Sequence, residues 1–207
     1  MTIEVEVIRR VAREFCLEFL KSPYLCYTEH GLHARFYAKL YHALPAEDRY
    51  TTWMGQRVCT VQKEYPTAGC LGKPKRQHWD VAVIRVPPEA VRNDGKPSYD
   101  YLRLAAAIEF GMNEPKVHLE DDIKRLCHPE AGVDYRFLFH LYRLSEPEAK
   151  FSGRDWSADS SQILSEKQVA DIAVGRPVEI FYGLYDSRGR REGWLIGPSG
   201  TKPLKER

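Results

Sequence analysis

Two acids stand where acids are out of place. Asp80 lies in R-Q-H-W-D-V-A-V-I, residues 76–84, and Glu109 in L-A-A-A-I-E-F-G, residues 104–111. Both stretches have strand length, and a fully buried strand reads as a continuous apolar run. An acid inside such a run needs a partner or a cation. Two carboxylates on adjacent strands of one sheet make a hard oxygen site for Mg²⁺ or Mn²⁺. The plainer alternative is that each acid ends its strand and meets water. Taken together, and with what flanks them, the two point to a metal site.

The flanks supply further candidates. Lys73, Lys75 and Arg76 run directly into the segment that carries Asp80, as phosphate contacts would. Glu29 follows Thr28, a suitable N-cap, so its carboxylate sits in the first turn of a helix. His30, His33 and His42 share that helix. A pair of histidines three apart can grip a metal, but no third ligand accompanies it at a sensible spacing. They read as ordinary helix-surface residues. Gly72-Lys73 lacks the spacing and the following Ser or Thr of a phosphate loop. No G-x-S-x-G, no G-x-G-x-x-G and no Cys/His arrangement supports another catalytic class.

These residues belong to a chain of 207 amino acids, 43% hydrophobic and 12% aromatic, with a net charge of +2. That length fits one domain, 1–207, with a real core, and no internal repeat interrupts it. The near-neutral charge excludes a polycation, although basic residues cluster locally at 73–76, 188–191 and 202–207. Five scattered cysteines without a C-x-x-C pair suit reduced thiols. No apolar run approaches the ~20 residues of a membrane span, and the first residues lack the features of a secretion signal. The expected compartment is the cytoplasm.

Periodicity gives the elements that must hold the candidates. Apolar residues at helical spacing predict helices over 3–20 and from Thr28 to Pro45. Val/Thr-rich and apolar runs predict strands over 56–65, 79–86, 102–111 and 135–144. A polar insert at 87–101 carries N-D-G-K-P, a strong turn signal. Residues 118–127 form a short helix and 145–162 a loop. Ser165 and Gln168 make a capping box for a helix ending at Gly175. Residues 178–185 and 192–196 make a hairpin, and the tail after Pro198 is loose. An antiparallel meander that then takes helix-connected strands gives a mixed sheet with helices on both faces.

The order of helix, three-strand meander, helix and strand, with Asp80 early in the second strand and Glu109 late in the third, resembles the restriction-endonuclease-like superfamily of PD-(D/E)xK nucleases. H-W-D-V-A-V-I looks like the second core strand, A-A-I-E-F-G like the third, D-I-K-R-L at 122–126 like the following helix, and T-E-H-G-L-H-A-R-F like the first core helix. The likeness covers roughly residues 24–145, with the helix over 3–20 and a helix and hairpin over 160–197 outside it.

The resemblance implies a three-layer α/β/α sandwich around a central mixed β-sheet. It implies a Mg²⁺- or Mn²⁺-dependent nuclease acting on DNA, with RNA as an alternative substrate and a homodimer left open. Asp80 and Glu109 would be the metal ligands, Glu29 an auxiliary acid, and Lys73, Lys75 and Arg76 the backbone contacts. The family has a lysine two residues beyond the strand-three glutamate, and strand alternation puts both on one face. Here that position is Gly111. Asn113 is next on the face, Lys116 is the nearest replacement, and Lys124 lies on the following helix. The missing lysine also admits a second reading, a nuclease-like domain without chemistry that serves as a binding or interaction module.

Overall fold

The computed structural model describes residues 5–53, 55–67, 69–85, 104–153 and 161–205. The N-D-G-K-P turn lies outside them, as does the whole 87–101 insert.

Helix α1 (Val5–Lys21) turns the stripe Ile8, Val11, Phe15 and Phe19 inward. Helix α2 (Glu29–Ala43) starts where expected, with the Thr28 side chain accepting from the Gly31 N–H. Its buried stripe is Leu32, His33, Phe36 and Leu40. A two-stranded hairpin, β1 (Tyr50–Trp53) and β2 (Gln56–Cys59), then stands apart from the main sheet. The single strand expected over 56–65 is thus two strands, β2 and β3 (Val61–Pro66), separated at Thr60.

The main sheet has seven strands in the order β3-β4-β5-β6-β7-β8-β9. These are β3, β4 (His78–Ile84), β5 (Leu104–Met112), β6 (Val133–Leu144), β7 (Glu179–Asp186), β8 (Arg191–Gly197) and β9 (Gly200–Pro203). Pairing is antiparallel from β3 to β5, parallel across β5, β6 and β7, and antiparallel again out to β9. The sheet is therefore mixed, as the pattern of the segments requires. Strand β9 corrects the expectation of a loose tail: Thr201 and Lys202 pair with Ile196 and Leu195, continuing the hairpin by one strand. Helix α4 (Glu146–Phe151) likewise replaces part of the loop expected over 145–162, capped by the Ser145 side chain.

Each face of the sheet has its own core. One face packs α1 and α2 over Phe110, Phe139 and Phe181, with Phe110 and Phe139 stacked 4.5 Å apart. The other packs α3 (Lys116–Leu126) and α5 (Glu166–Ala173) over Trp79, Leu138, Tyr142 and Tyr182. The Ser165–Gln168 capping box opens α5 as the sequence indicates. Among the described residues no helix is long and apolar enough to cross a membrane.

The α1–α2 connection is pinned from below by Arg143 of β6. Its buried guanidinium donates to the carbonyls of Pro23, Cys26 and Tyr27 at 3.2, 3.1 and 2.8 Å. It also lies near the Tyr24 and Tyr27 rings, 4.8 and 5.0 Å from their centroids. This clamp sets where α2 begins, and hence where Glu29 points. Arg143→Ala leaves three carbonyls without their donor and is expected to cost about 2–4 kcal/mol in urea unfolding. A loss under ~0.5 kcal/mol would show that the loop holds itself.

Candidate acidic site at the end of the sheet

Asp80 opens β4 and Glu109 lies late in β5. Because Val81 pairs with Ile108 in an antiparallel ladder, the next step along each strand sets Asp80 opposite Glu109. Directly opposed residues project to the same face. The two carboxyls act on one another, Asp80 helping to raise Glu109. One Asp80 oxygen also accepts from the Phe110 N–H at 2.8 Å.

Glu109 is fully buried, and burial, then Asp80, pushes its carboxyl well above the usual range. Burial raises Asp80 as well, to about 6. Against this, Arg125 of α3 brings Nη2 to 2.8 Å from Glu109 Oε1 and 2.9 Å from Asp122 Oδ1, while its guanidinium lies 5.6 Å from the Trp79 ring.

Glu29 reaches the same place from α2. Its carboxylate accepts from the Met112 N–H at 2.8 Å, closing the end of β5. Burial first, and nearby Asp80 and Glu114 as well, raise its pKa. Four elements therefore bring carboxylates to one end of the sheet: α2, β4, β5 and α3. Arg125 and His118 are the cations set among them. Excess negative charge in a partly desolvated place favours a bound cation, and an all-carboxylate set suits Mg²⁺ or Mn²⁺.

Gly111 leaves room that two neighbours use. A Cβ there would meet the Glu114 side chain at 3.4 Å and His118 Nδ1 at 3.7 Å. His118 Nδ1 lies 3.1 Å from Asp122 Oδ2, and that carboxylate raises the imidazole to about 9. A charged imidazolium thus lies beside Gly111. Asn113 is committed elsewhere: it adopts φ 60°, and its side-chain oxygen accepts from the Arg143 N–H. The Lys116 ammonium faces Glu120 at 3.5 Å and is mostly exposed.

The basic loop is partly spoken for. Lys73 is ion-paired with Asp121 of α3, Arg76 Nε donates to the Thr67 carbonyl, and Lys75 is exposed. The Lys73 contact docks the loop on the helix that carries Asp122 and Arg125.

The histidine reading needs correction. His33 is not a surface residue; it is 1% exposed and packs, tilted, against Phe110 with ring centroids 4.8 Å apart. The stripe through Leu32 and Phe36 is wide enough to carry position 33 inward. The third ligand that spacing did not provide comes from another element: His30, His33 and Glu64 bring ligand atoms within 4.8 Å of one another. Nothing local in the sequence links Glu64 to α2.

No protein-family model, curated protein or solved structure matches the chain.

The raised carboxyls set a pH dependence. A carboxyl that holds its proton more tightly when folded subtracts stability as pH rises from its unfolded value near ~4 through its folded value, about 6 for Asp80. Asp80→Asn keeps an oxygen for the Phe110 N–H and removes the charge. The variant is expected to match the wild type near pH 4 and to exceed it by ~1–3 kcal/mol at pH 8 without added metal. Denaturant unfolding at both pH values checks this; a variant less stable at pH 8 would contradict the assignment.

Proposed function

We propose that this chain is a divalent-metal-dependent nuclease of the restriction-endonuclease-like kind, hydrolysing phosphodiester bonds in DNA. The observation that supports this most is the in-register meeting of Asp80 and Glu109 on neighbouring strands, with Glu29 closing over the same end of the sheet. Asp80 and Glu109 would hold the ion. A divalent cation there offsets charge on the phosphoryl and leaving oxygens.

The remaining roles fall to the chain's own groups. Glu29, with its raised pKa, would accept a proton from the attacking water or orient it. The His118 imidazolium, held by Asp122, supplies positive charge where the family's lysine would. Arg125 keeps the Glu109 carboxylate in place. Lys75, with Lys73 and Arg76 beside it, would contact the phosphate backbone and not the bases.

A second reading has one specific observation behind it. Glu114 and His118 fill the space over Gly111, which suits a nuclease-like domain that binds nucleic acid or protein without cutting. Incubation with plasmid and with linear single strands, with Mg²⁺ or Mn²⁺, separates the two. Cleavage abolished by Asp80→Ala is the expected result; no cleavage of either substrate with either ion would favour the binding module. Within an active protein, His118→Gln is expected to lower the rate by about 10²-fold, and Lys116→Ala to change it by only a few-fold. The reverse order would return the lysine's role to Lys116.

A further inference from the structure

Next to the acidic pair lies a constellation that it does not explain. His33 is buried, yet both of its ring nitrogens lack a hydrogen-bond partner. Buried polar groups are nearly always paired, and a buried imidazole commonly fixes its tautomer through a hydrogen bond. The oxygens around this ring lie just beyond that range. Asp80 Oδ1 is 3.6 Å and Glu64 Oε1 3.9 Å from Nδ1, and Glu29 Oε1 is 3.8 Å from Nε2. Such distances are too long for hydrogen bonds.

Glu64 reaches this place through a strained backbone. Its φ is 53°, in the left-handed region, which a non-glycine residue occupies only under strain. It also drops out of the β3–β4 ladder, since Lys63 pairs with Val81 and Tyr65 with Trp79 while the step between them is unpaired. That step is the one opposite Asp80. The kink turns the Glu64 carboxylate towards His33 and towards His30, whose Nδ1 is 3.8 Å away. Strain of this kind concentrates at functional sites.

We propose that buried His33, Glu64 and exposed His30, whose ligand atoms lie within 4.8 Å of one another, with Asp80 beside His33 as a fourth ligand, form a site for a borderline transition-metal dication of the Co²⁺/Zn²⁺ class. The spacing suits it: two ligands each ~2.1 Å from one ion at tetrahedral angles lie roughly 3.4 Å apart, and the pairs that share His33 Nδ1 or Glu64 Oε1 stand at 3.6–3.9 Å. Sub-ångström motion closes these three pairs. The donor set decides the ion. Imidazole suits Zn²⁺ and its neighbours, whereas Mg²⁺ takes carboxylate, carbonyl and water oxygens. Asp80 is common to this site and to the acidic pair, so the two metal chemistries meet at one carboxylate.

The proposal deepens the nuclease reading but shares only Asp80 with it, and its test needs no cleavage. The full-length protein is titrated with Co²⁺, followed by visible d–d absorption, and separately with Mg²⁺. Co²⁺ is expected to bind at least ~10²-fold more tightly than Mg²⁺, with bands of low coordination number. Glu64→Gln and His33→Asn are expected to weaken Co²⁺ at least ~10-fold while Mg²⁺ affinity stays within a few-fold. Glu109→Gln is expected to spare Co²⁺ and to weaken Mg²⁺.

Glu64 lies outside the hydrophobic core, so its variant gives the answer even where His33→Asn fails to fold. Equal affinities for the two ions, or Co²⁺ affinity unchanged by Glu64→Gln, would overturn the proposal. Co²⁺ binding lost with Glu109→Gln but not with Glu64→Gln would overturn it as well. Tight Co²⁺ binding through Glu64 in a protein that never cuts DNA would uphold this site and refute the nuclease reading.

Discussion

Two like charges brought together out of water set the terms for this end of the molecule. Asp80 and Glu109 face each other across the β4–β5 ladder with little solvent around Glu109. Either a proton or a cation must lie between them. Much of the surroundings answers that constraint. Arg125 reaches in from α3 to one Glu109 oxygen, the Phe110 N–H takes an Asp80 oxygen, and Glu29 is tethered by the Met112 N–H. These contacts fix where the charges sit but leave them under-compensated. A fold that kept the acids for stability alone would do better with apolar residues of similar volume.

The arrangement is rigid for a reason. Antiparallel pairing puts the two acids in register with little freedom to slip, because a one-residue shift would turn every inward side chain of β4 to the other face. The stacked phenylalanines under α2 hold the helix against the sheet, and Arg143 holds the loop that starts it. Gly111 adapts the site from the other side. Without a side chain there, His118 and Glu114 lie directly against the strand, and the Asp122 carboxylate beside His118 favours its imidazolium.

What could be read from the sequence follows the range of the forces involved. The acids interrupting apolar runs, the Thr28 cap and the Ser165–Gln168 box are local signals, and each reappears in the structure. The mixed sheet with helices on both faces also follows from the order of the segments. Misreadings arise where tertiary contact overrides local pattern. His33 looked like a surface residue because its neighbours Leu32 and Phe36 already supplied a helical stripe. Glu64 falls inside the strand expected over 56–65, and its left-handed backbone leaves no compositional trace. Strand β9 leaves no apolar pattern because its four exposed residues, Gly200 to Pro203, are held by ladder hydrogen bonds and not by burial.

The central claim is that the acidic cluster holds a proton which a cation replaces. Calorimetric titration with Mg²⁺ at pH 7, repeated in buffers of different ionisation enthalpy, counts the protons released per ion. Because Glu109 is raised well above the usual carboxylate range, binding is expected to release about one proton, and none in Glu109→Gln. Binding that releases no proton from the wild type, or as many from Glu109→Gln, would contradict the account.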